Sequence, residues 1–255
     1  MIIRKSQSEI ETMARAGKVV ADTLALLEES IRPGVTTEEL DRLAEDYIRG
    51  QGGYPTFKGY KGYPAAICAS PNDMVVHGIP GGYRLADGDV LSIDVGVTLD
   101  GFVADSAWTY AVGEISPEAD RLLDACQRAL YAGIEQARLG NDVGDISAAV
   151  QRVTEDAGFS IIRSLVGHGV GRSMHEDPQV PNFAGPYRGP KLQEGMTIAI
   201  EPMITAGGAE VFLHDDDWSI STEDASLAAH FEHTVAVTAE GPRILTTAGA
   251  TALLP

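Results

Sequence analysis

Hydrophobic residues recur every three to four positions in four stretches of the chain, the spacing of a helix with one buried face. The first stretch, EIETMARAGKVVADTLALLEES, follows two candidate N-caps, Ser6 and Ser8, and ends before Pro33-Gly34. Thr36-Thr37 begin the second predicted helix, EELDRLAEDYIRG. Its apolar stripe consists of Leu40, Leu43, Ala44 and Tyr47. The first fifty residues are therefore predicted to form two helices.

Two further helices are predicted in the second half of the chain. Ser116-Pro117, a cap followed by a proline in the first turn, begins a helix that runs to about Arg138. The fourth helix covers roughly Val143 to Ala157. Strands and turns alternate from about Tyr54 to Val112, and again after the fourth helix. The order is two helices and strands, then two helices and strands.

An internal repeat underlies this order. RPGVTTEELDRLAEDYIRGQG aligns with RLGNDVGDISAAVQRVTEDAG at an offset of 106, and LADGDVLSIDV aligns with LQEGMTIAIEP at an offset of 107. Chance similarity between amphipathic helices can explain the first match but explains the second poorly. The matching offsets predict a duplicated unit within one α+β domain, residues 1–255, with halves of about 1–113 and 114–255. Each half should contain two helices and an antiparallel sheet, related by a pseudo-twofold axis.

Two aspartates interrupt apolar runs in the stretch LSIDVGVTLDGFVADSAWTY. If the turn at Asp100-Gly101 closes a hairpin with an even loop, Asp94 and Asp105 project from the same sheet face. Two carboxylates on a half-buried face repel each other, and burying them without a partner costs several kcal/mol. Neither run contains Lys or Arg. The pattern therefore favours a metal ion between the two side chains.

The second half contains the same type of residue in similar places. The repeat pairs Asp94 with Glu201, which ends the apolar run MTIAIEPMI. Glu232 lies in AAHFEHTVAVT, where strand alternation would place it on one face with His230 and Thr234. His168 lies in the glycine-rich run SLVGHGVGRSMHEDP, whose backbone can approach a ligand closely. Four acids and one imidazole are thereby candidates for one centre.

This donor set is rich in oxygen and holds too many acids for a single ion. It suits two divalent ions bridged by carboxylates, and leaves Mn, Fe, Co and Zn all open. Such a pair activates a water molecule for hydrolysis and polarises the carbonyl that is attacked. A structural site is typically tetrahedral and rich in cysteine, whereas this chain has only two cysteines. The set therefore indicates a hydrolytic centre.

Composition limits the other functions that the chain could have. A net charge of −18 argues against nucleic-acid binding, and 44% hydrophobic residues argue against disorder. Two cysteines are too few for a disulfide framework and suit a reducing compartment. No apolar run approaches the roughly 18 residues of a membrane span, and the N-terminus lacks the apolar core of a signal peptide. We expect a cytoplasmic protein that binds neither nucleic acid nor membrane.

Several motifs together resemble the type I methionine aminopeptidases of the pita-bread fold. The resemblance runs from about Ile10 to about Thr238. It rests on VHGIP, SIDVGVTLDGFVADSAWTY, GHGVGRSMHEDPQVPNF, AIEPMI and FEHTVAVT. By this resemblance the metal ligands are Asp94, Asp105, His168, Glu201 and Glu232. The family removes the initiator methionine from nascent chains when the second residue is small. We expect a monomer, and a transient association with the ribosome is compatible with that role.

The resemblance also assigns the groups around the metals. His77 contacts the substrate near the metals, His175 binds the scissile carbonyl, and Glu201 carries a proton to the leaving nitrogen. His214, His230 and His233 receive structural roles, although His230 shares the predicted face of Glu232. Two positions depart from the common pattern, Phe57 where cysteine is frequent and Met174 where Phe is frequent. The methionine pocket consists of Phe57, Tyr60, Tyr63, Cys68, Met174 and Trp218.

Three alternative functions remain at this stage. Proline-specific aminopeptidases and dipeptidases have the same fold and ligand pattern, but they carry a further N-terminal domain, and here the catalytic unit begins within about ten residues of Met1. The type II methionine aminopeptidases carry a helical insertion, for which the segments between His168, Glu201 and Glu232 leave little room. A binding module that has lost catalysis should lack at least one of the five ligands, and all five are present.

Overall fold

The structure, a computed structural model, describes residues 1–247. Residues 248–255, which the predicted domain includes, lie outside the described residues. The helices are α1 (Gln7–Ser30), α2 (Thr37–Gly50), α3 (Pro117–Glu135) and α4 (Val143–Asp156). Ser6 and Thr36 cap α1 and α2, and in each case the glutamate three residues later returns a bond to the backbone of the cap. All four predicted helices are confirmed.

Two details of the helix predictions were wrong. Ser8 lies inside α1 and does not cap it. The third helix ends at Glu135 instead of Arg138, because the backbone N–H groups of Gln136 and Ala137 bond to carbonyls three residues back, which tightens the last turn. The predicted bounds of the fourth helix are confirmed, since α4 begins at Val143 and Ala157 is its C-cap. The predicted stripe of α2 is confirmed: two of its residues are buried, and the other two pack partly buried against the same core.

The described residues contain fifteen strands, all paired antiparallel. In the first half they are β1 (Tyr54–Pro55), β2 (Cys68–Pro71), β3 (Met74–Val76), β4 (Val90–Leu99) and β5 (Phe102–Ala111). In the second half they are β6 (Ser160–Ile161), β7 (Gly167–Gly169), β8 (Glu176–Val180), β9 (Thr197–Ile200), β10 (Met203–Thr205), β11 (Val211–Leu213), β12 (Ile220–Thr222), β13 (Ala228–His230), β14 (His233–Thr238) and β15 (Gly241–Ile244). The predicted α+β class is confirmed.

The described strands form four sheets. Two are three-stranded, with the orders β13-β10-β6 and β11-β12-β3, and the latter pairs a strand of the first half with strands of the second. The two larger sheets belong one to each half. β1, β2 and β5 surround β4 in the first sheet, and the second has the order β15-β14-β9-β7-β8. A short Tyr60–Gly62 3₁₀ turn follows β1. One core contains buried residues of α1, α2 and the first sheet, and another contains those of α3, α4 and the second sheet. Trp108 of β5 packs against both cores. The two halves therefore meet at β5.

Hydrogen bonds of backbone groups with hydroxyls and with each other join the halves along β5 and the start of β14. The Thr234 hydroxyl accepts from the Asp105 N–H at 2.9 Å and donates to the Asp105 carbonyl at 2.8 Å. The Glu232 N–H donates to the Ala107 carbonyl at 2.8 Å, and the Ser106 hydroxyl donates to the Glu232 carbonyl. We call these bonds the seam. They place Asp105 of the first half and Glu232 of the second in a fixed relation.

The halves repeat each other in their hydrogen bonds as well as in sequence. The bridge Thr36 to Arg84 has its counterpart in Asp142 to Lys191. The two bonds from Leu85 N–H to Val35 C=O and from Leu192 N–H to Asn141 C=O, each 2.9 Å long, also correspond. These positions are related by the offsets of 106 and 107 found in the sequence. The correspondence supports our proposal that the domain arose from a duplicated unit. None of the described helices combines the length and apolar character that crossing a membrane requires.

Candidate metal centre and substrate cavity

A cavity of about 340 Å³ lies where the two halves meet. Every side chain that the sequence predicts for metal or substrate binding lines it. They are Asp94, Asp105, His168, Glu201, Glu232, His77, His175, Phe57, Tyr60, Tyr63, Cys68, Met174 and Trp218. A larger cavity of about 570 Å³ lies elsewhere, beside the start of α4, but its charged residues, Asp177 and Arg188, are largely exposed. The buried acids identify the smaller cavity as the candidate active site.

The two aspartates of this cavity lie on the β4–β5 hairpin. A two-residue turn, Asp100-Gly101, closes it with φ values of 50° and 79°, as a type I′ turn requires. In this register Asp94 pairs with Ala107 and Asp105 pairs with Gly96, so both carboxylates leave the same face. The prediction of an even loop with both side chains on one face is confirmed. The two carboxyl groups lie close enough for each to affect the pKa of the other.

His168 is presented by the short strand β7. Its Nδ1 donates to the Gly169 carbonyl at 2.9 Å, because a carbonyl can only accept, and this bond leaves the lone pair of Nε2 free. That Nε2 lies 3.4 Å from Oε1 of Glu201 and 3.9 Å from Oδ2 of Asp105. A Cβ on the preceding Gly167 would lie 2.5 Å from the Ala199 carbonyl oxygen. The absence of a side chain at Gly167 therefore lets β7 lie close to β9.

Both glutamates lie at breaks between strands. Glu201 follows β9, before β10, and Glu232 lies between β13 and β14. The prediction of one continuous strand through His230, Glu232 and Thr234 was wrong. β13 pairs with β10 and β14 pairs with β9, while the Glu232 N–H bonds across the seam to Ala107. His230 Nε2 still lies 4.0 Å from Oε2 of Glu232 and 3.7 Å from Oε2 of Glu201.

Burial dominates the electrostatics of these acids. Loss of solvent raises the pKa of Asp94 to about 7, and it raises the pKa of Asp105, Glu201 and Glu232 well above the usual carboxyl range. Repulsion between neighbouring carboxylates adds to the rise for the last three. Among residues 1–247, no Lys or Arg forms an ion pair with any of the four. The cluster therefore requires a cation that the chain does not supply.

The donor set fits divalent metal ions. Ligand atoms of Asp105, His168 and Glu232 all lie within 4.8 Å of one another. Asp94 joins this group through its electrostatic interaction with Asp105, and Glu201 through its proximity to His168. One buried oxygen in each of Asp94, Asp105 and Glu232 has no hydrogen-bond partner within the described chain. Buried polar atoms are normally paired, so these oxygens are available as ligands.

Aromatic and sulfur-containing side chains line the other part of the cavity. The ring of Tyr63 packs edge-on against Phe57 and Trp218, at centroid distances of 6.3 and 5.1 Å. Met174 and Phe57 cover Gly96, where a Cβ would lie 3.1 Å from the Met174 methyl carbon. The Cys68 thiol is buried, and burial raises its pKa, so it stays protonated and apolar. These surfaces suit an unbranched apolar side chain.

Two histidines border the cavity beside the acids. His77 has a left-handed backbone with φ of 59°, and burial lowers its pKa to about 4. The pKa of His175 is also lowered, first by burial and then by the charge of Lys61. Both imidazoles are therefore neutral near pH 7 and can each donate one proton in a hydrogen bond. The Tyr60 hydroxyl lies 2.8 Å from Nδ1 of His175.

The three histidines for which a structural role was predicted differ in whether they line the cavity. His214 bonds to the Ser221 hydroxyl, and His233 bonds to the Thr246 hydroxyl, and neither lines the cavity. His230 does line it, so the predicted structural role is incomplete for this residue. Further lining residues were not predicted from the sequence: Lys61, Val76, Ser164, Leu165, Val166 and Met203. Their only sequence signal is proximity to the motifs quoted above, because loops bring most of them to the cavity.

Comparisons with known proteins agree with this arrangement. The sequence profile of metallopeptidase family M24 matches residues 11–239. A methionine aminopeptidase from Clostridium perfringens is 51% identical over 246 residues, which cover 96% of this chain and 99% of the relative. Methionine aminopeptidase 1 of Bacillus subtilis is 48% identical over 246 residues, with the same coverage. The crystal structure of a methionine aminopeptidase from Thermotoga maritima has a TM-score of 0.95 and 42% identity, covering 97% of this chain and 100% of that one.

More distant structures share the fold alone. A prolidase from Pyrococcus furiosus has a TM-score of 0.74 at 21% identity, and the match covers 97% of this chain but 66% of that one. The proline-specific relatives are therefore longer than the unit seen here. The predicted pita-bread fold and the predicted family are confirmed by these likenesses.

Proposed function

The chain belongs to metallopeptidase family M24, and we propose that it removes the N-terminal methionine from peptides and nascent polypeptides whose second residue is small. The observation that carries this proposal is one cavity in which the five predicted metal ligands meet a wall of aromatic, Met and Cys side chains. The acids suit hydrolysis, and the wall suits the methionine side chain. Relatives named methionine aminopeptidase, about half identical over nearly the full chain, support the same activity.

We assign two divalent metal ions to the acid cluster. Asp94, Asp105, His168, Glu201 and Glu232 would hold them. When bound, the ions would supply an activated water, a polarised carbonyl and a site for the substrate amine. The seam fixes the backbones of Asp105 and Glu232 relative to each other, which suits ligands that come from different halves of the chain.

The chain's own residues then orient and protonate the substrate. His175, neutral and partly buried, donates a hydrogen bond to the oxygen of the scissile carbonyl as negative charge develops there. His77, which lines the same cavity, contacts the substrate near the acid cluster. Glu201 transfers a proton to the nitrogen that leaves. The buried position of Glu201 supports this role, because burial raises its pKa and favours its protonated form.

We also propose that the protein acts as a cytoplasmic monomer. Removal of an initiator methionine takes place where chains are synthesised, and transient association with the ribosome suits that substrate. Sedimentation at micromolar protein concentration measures the first property. Co-sedimentation with ribosomes measures the second.

A peptide panel tests the proposed activity. Metal-free protein is incubated with Mn, Fe, Co or Zn and with two series of peptides, Met-Xaa-Ser and Xaa-Pro. We expect release of methionine when Xaa is Ala, Gly or Ser, and little release when Xaa is Leu or Phe. Cleavage of the Xaa-Pro series without methionine release would instead assign the protein to the proline-specific enzymes.

Variants test the roles of the residues. We expect Glu201→Ala and His175→Ala each to lower kcat for Met-Ala-Ser by at least about 100-fold at saturating metal. Near-native turnover in both variants would contradict these two assignments.

A further inference from the structure

Tyr60 contacts His175 through its hydroxyl as well as its ring. The hydroxyl oxygen lies 2.8 Å from Nδ1 of His175, and the two ring centroids lie 5.5 Å apart. Within residues 1–247, no group forms a hydrogen bond to Nε2, the other ring nitrogen of His175. One nitrogen of the imidazole is therefore committed to Tyr60, and the other is left for a ligand in the cavity.

The loop that carries Tyr60 has an unusual backbone. Gly59, Lys61 and Gly62 all have positive φ values, of 86°, 48° and 92°. The Gly59 N–H donates to the Tyr63 carbonyl, and the Tyr63 N–H donates back to the Tyr60 carbonyl. A lysine with φ of 48° costs of order 1 kcal/mol, and such strain persists only where the surrounding structure holds it. The loop therefore presents Tyr60 in one fixed position.

We infer that Tyr60 is a positioning residue whose hydroxyl donates to Nδ1 of His175 and thereby keeps the His175 proton on Nε2. A phenol is a good donor, and an unprotonated imidazole nitrogen is a good acceptor, so this direction of the bond is favoured. The bond made by one ring nitrogen sets which nitrogen carries the proton. This inference rests on the proposed function, in which Nε2–H is the donor to the scissile carbonyl.

The neighbouring tyrosine shows that the Tyr60 contact is not general loop support. The Tyr63 hydroxyl bonds to the carbonyls of Ile67 and Gly78, at 3.0 and 2.8 Å, and this holds the backbone. The Tyr60 hydroxyl has no backbone partner within the described residues and bonds only to His175. Removing it should alter the imidazole and leave the fold unchanged.

The kinetic test uses Tyr60→Phe, which removes the hydroxyl and keeps the ring. We expect kcat for Met-Ala-Ser to fall about tenfold, the worth of about one hydrogen bond, with KM within about twofold of wild type. Tyr54→Phe is the matched control, because its hydroxyl bonds to the Lys58 carbonyl at 2.9 Å just before the same loop and lies outside the cavity. It should keep wild-type kcat.

The direct test reads the tautomer by NMR, in protein labelled with ¹⁵N-histidine and free of paramagnetic metal. Loss of signals in His175→Gln assigns the two nitrogens. We expect wild-type Nδ1 in the unprotonated range and Nε2 in the protonated range, and a mixture of tautomers in Tyr60→Phe. A protonated Nδ1 in wild type, or an unchanged tautomer and kcat in Tyr60→Phe, overturns the inference. Failure of wild type to release methionine contradicts the proposed function instead, and the NMR result distinguishes the two because it needs no turnover.

Discussion

The two halves of the molecule build their share of the candidate metal centre in different ways. The first half presents Asp94 and Asp105 on a regular hairpin with ten residues in each strand. The second half presents its three ligands on a three-residue strand and at two interruptions between strands. The regular register of one hairpin is thus sufficient to direct two side chains into the cavity. To direct ligands from several segments into it, the second half uses interruptions between strands and a close approach of one strand backbone to another.

The largest effect is expected from removing one metal ligand in each half, which tests whether both halves contribute equally to metal binding. Asp105→Asn and Glu232→Gln should each lose bound metal and at least about 100-fold in kcat/KM, since even groups that only support metal ligands are worth about 10 to 100-fold. Without metal, both variants should melt at a higher temperature than wild type, because a neutral amide replaces an acid buried beside other acids. Metal content, kinetics and calorimetry measure the three quantities.

The matched control for these variants is Asp100→Asn. Its carboxylate lies on the same hairpin but is exposed and paired with Arg15, and Asn-Gly suits the same turn. Kinetic constants should stay within about twofold of wild type. If Asp105→Asn loses metal and Glu232→Gln retains it, the centre belongs to the first half alone and the comparison between halves fails.

A smaller effect on stability distinguishes two roles of glycine, close packing of two strands and the backbone geometry of a turn. Gly167→Ala in the second half should destabilise the protein by about 3 kcal/mol, because its Cβ meets two backbone oxygens, at 2.5 and 3.1 Å. Gly101→Ala in the first half should cost only about 1 kcal/mol, since φ of 79° is strained for alanine but nothing lies within 4 Å. Urea denaturation of the metal-free proteins measures both. Equal losses would show that the two halves depend on glycine in the same way.

A dependence on pH is shared by the acids of both halves. Folding raises the pKa of Asp94 from 3.8 to about 7, so the folded metal-free protein binds more protons than the unfolded chain between these values. Stability should therefore fall as pH rises from about 4 to about 7, and Tm should fall with it. The three other acids shift in the same direction.

Saturating divalent metal should reverse this slope, because metal ions compete with protons for the same oxygens. Asp94→Asn should flatten the slope of the metal-free protein. A Tm that rises with pH in metal-free wild type would contradict the raised carboxyl pKa values. Scanning calorimetry across this range, with and without added Zn, makes the measurement.

Local patterns made the first half easier to predict from the sequence than the second. The hairpin followed from Asp100-Gly101 and from strand alternation, both of which depend on neighbours in the chain. The break before β14 did not, because the bond from Glu232 to Ala107 crosses the seam and no local pattern encodes it. The end of α3 was also missed. Ala137 is fully buried although it lies beyond the helix, so its burial does not mark where the helix ends. The fold and ligand types could be predicted from sequence, whereas the strand breaks required the structure.

The seam has a consequence for how this molecule could have evolved. Two identical subunits meeting on a twofold axis can offer ligands only in equal pairs. A fused chain can offer five, and the one histidine among the five proposed ligands lies in the second half alone. The paired positions Asp94 and Glu201 already differ by one methylene. In the proposed duplication, fusion would therefore have freed the two proposed metal positions to become chemically different, so that one would favour the substrate amine and the other its carbonyl.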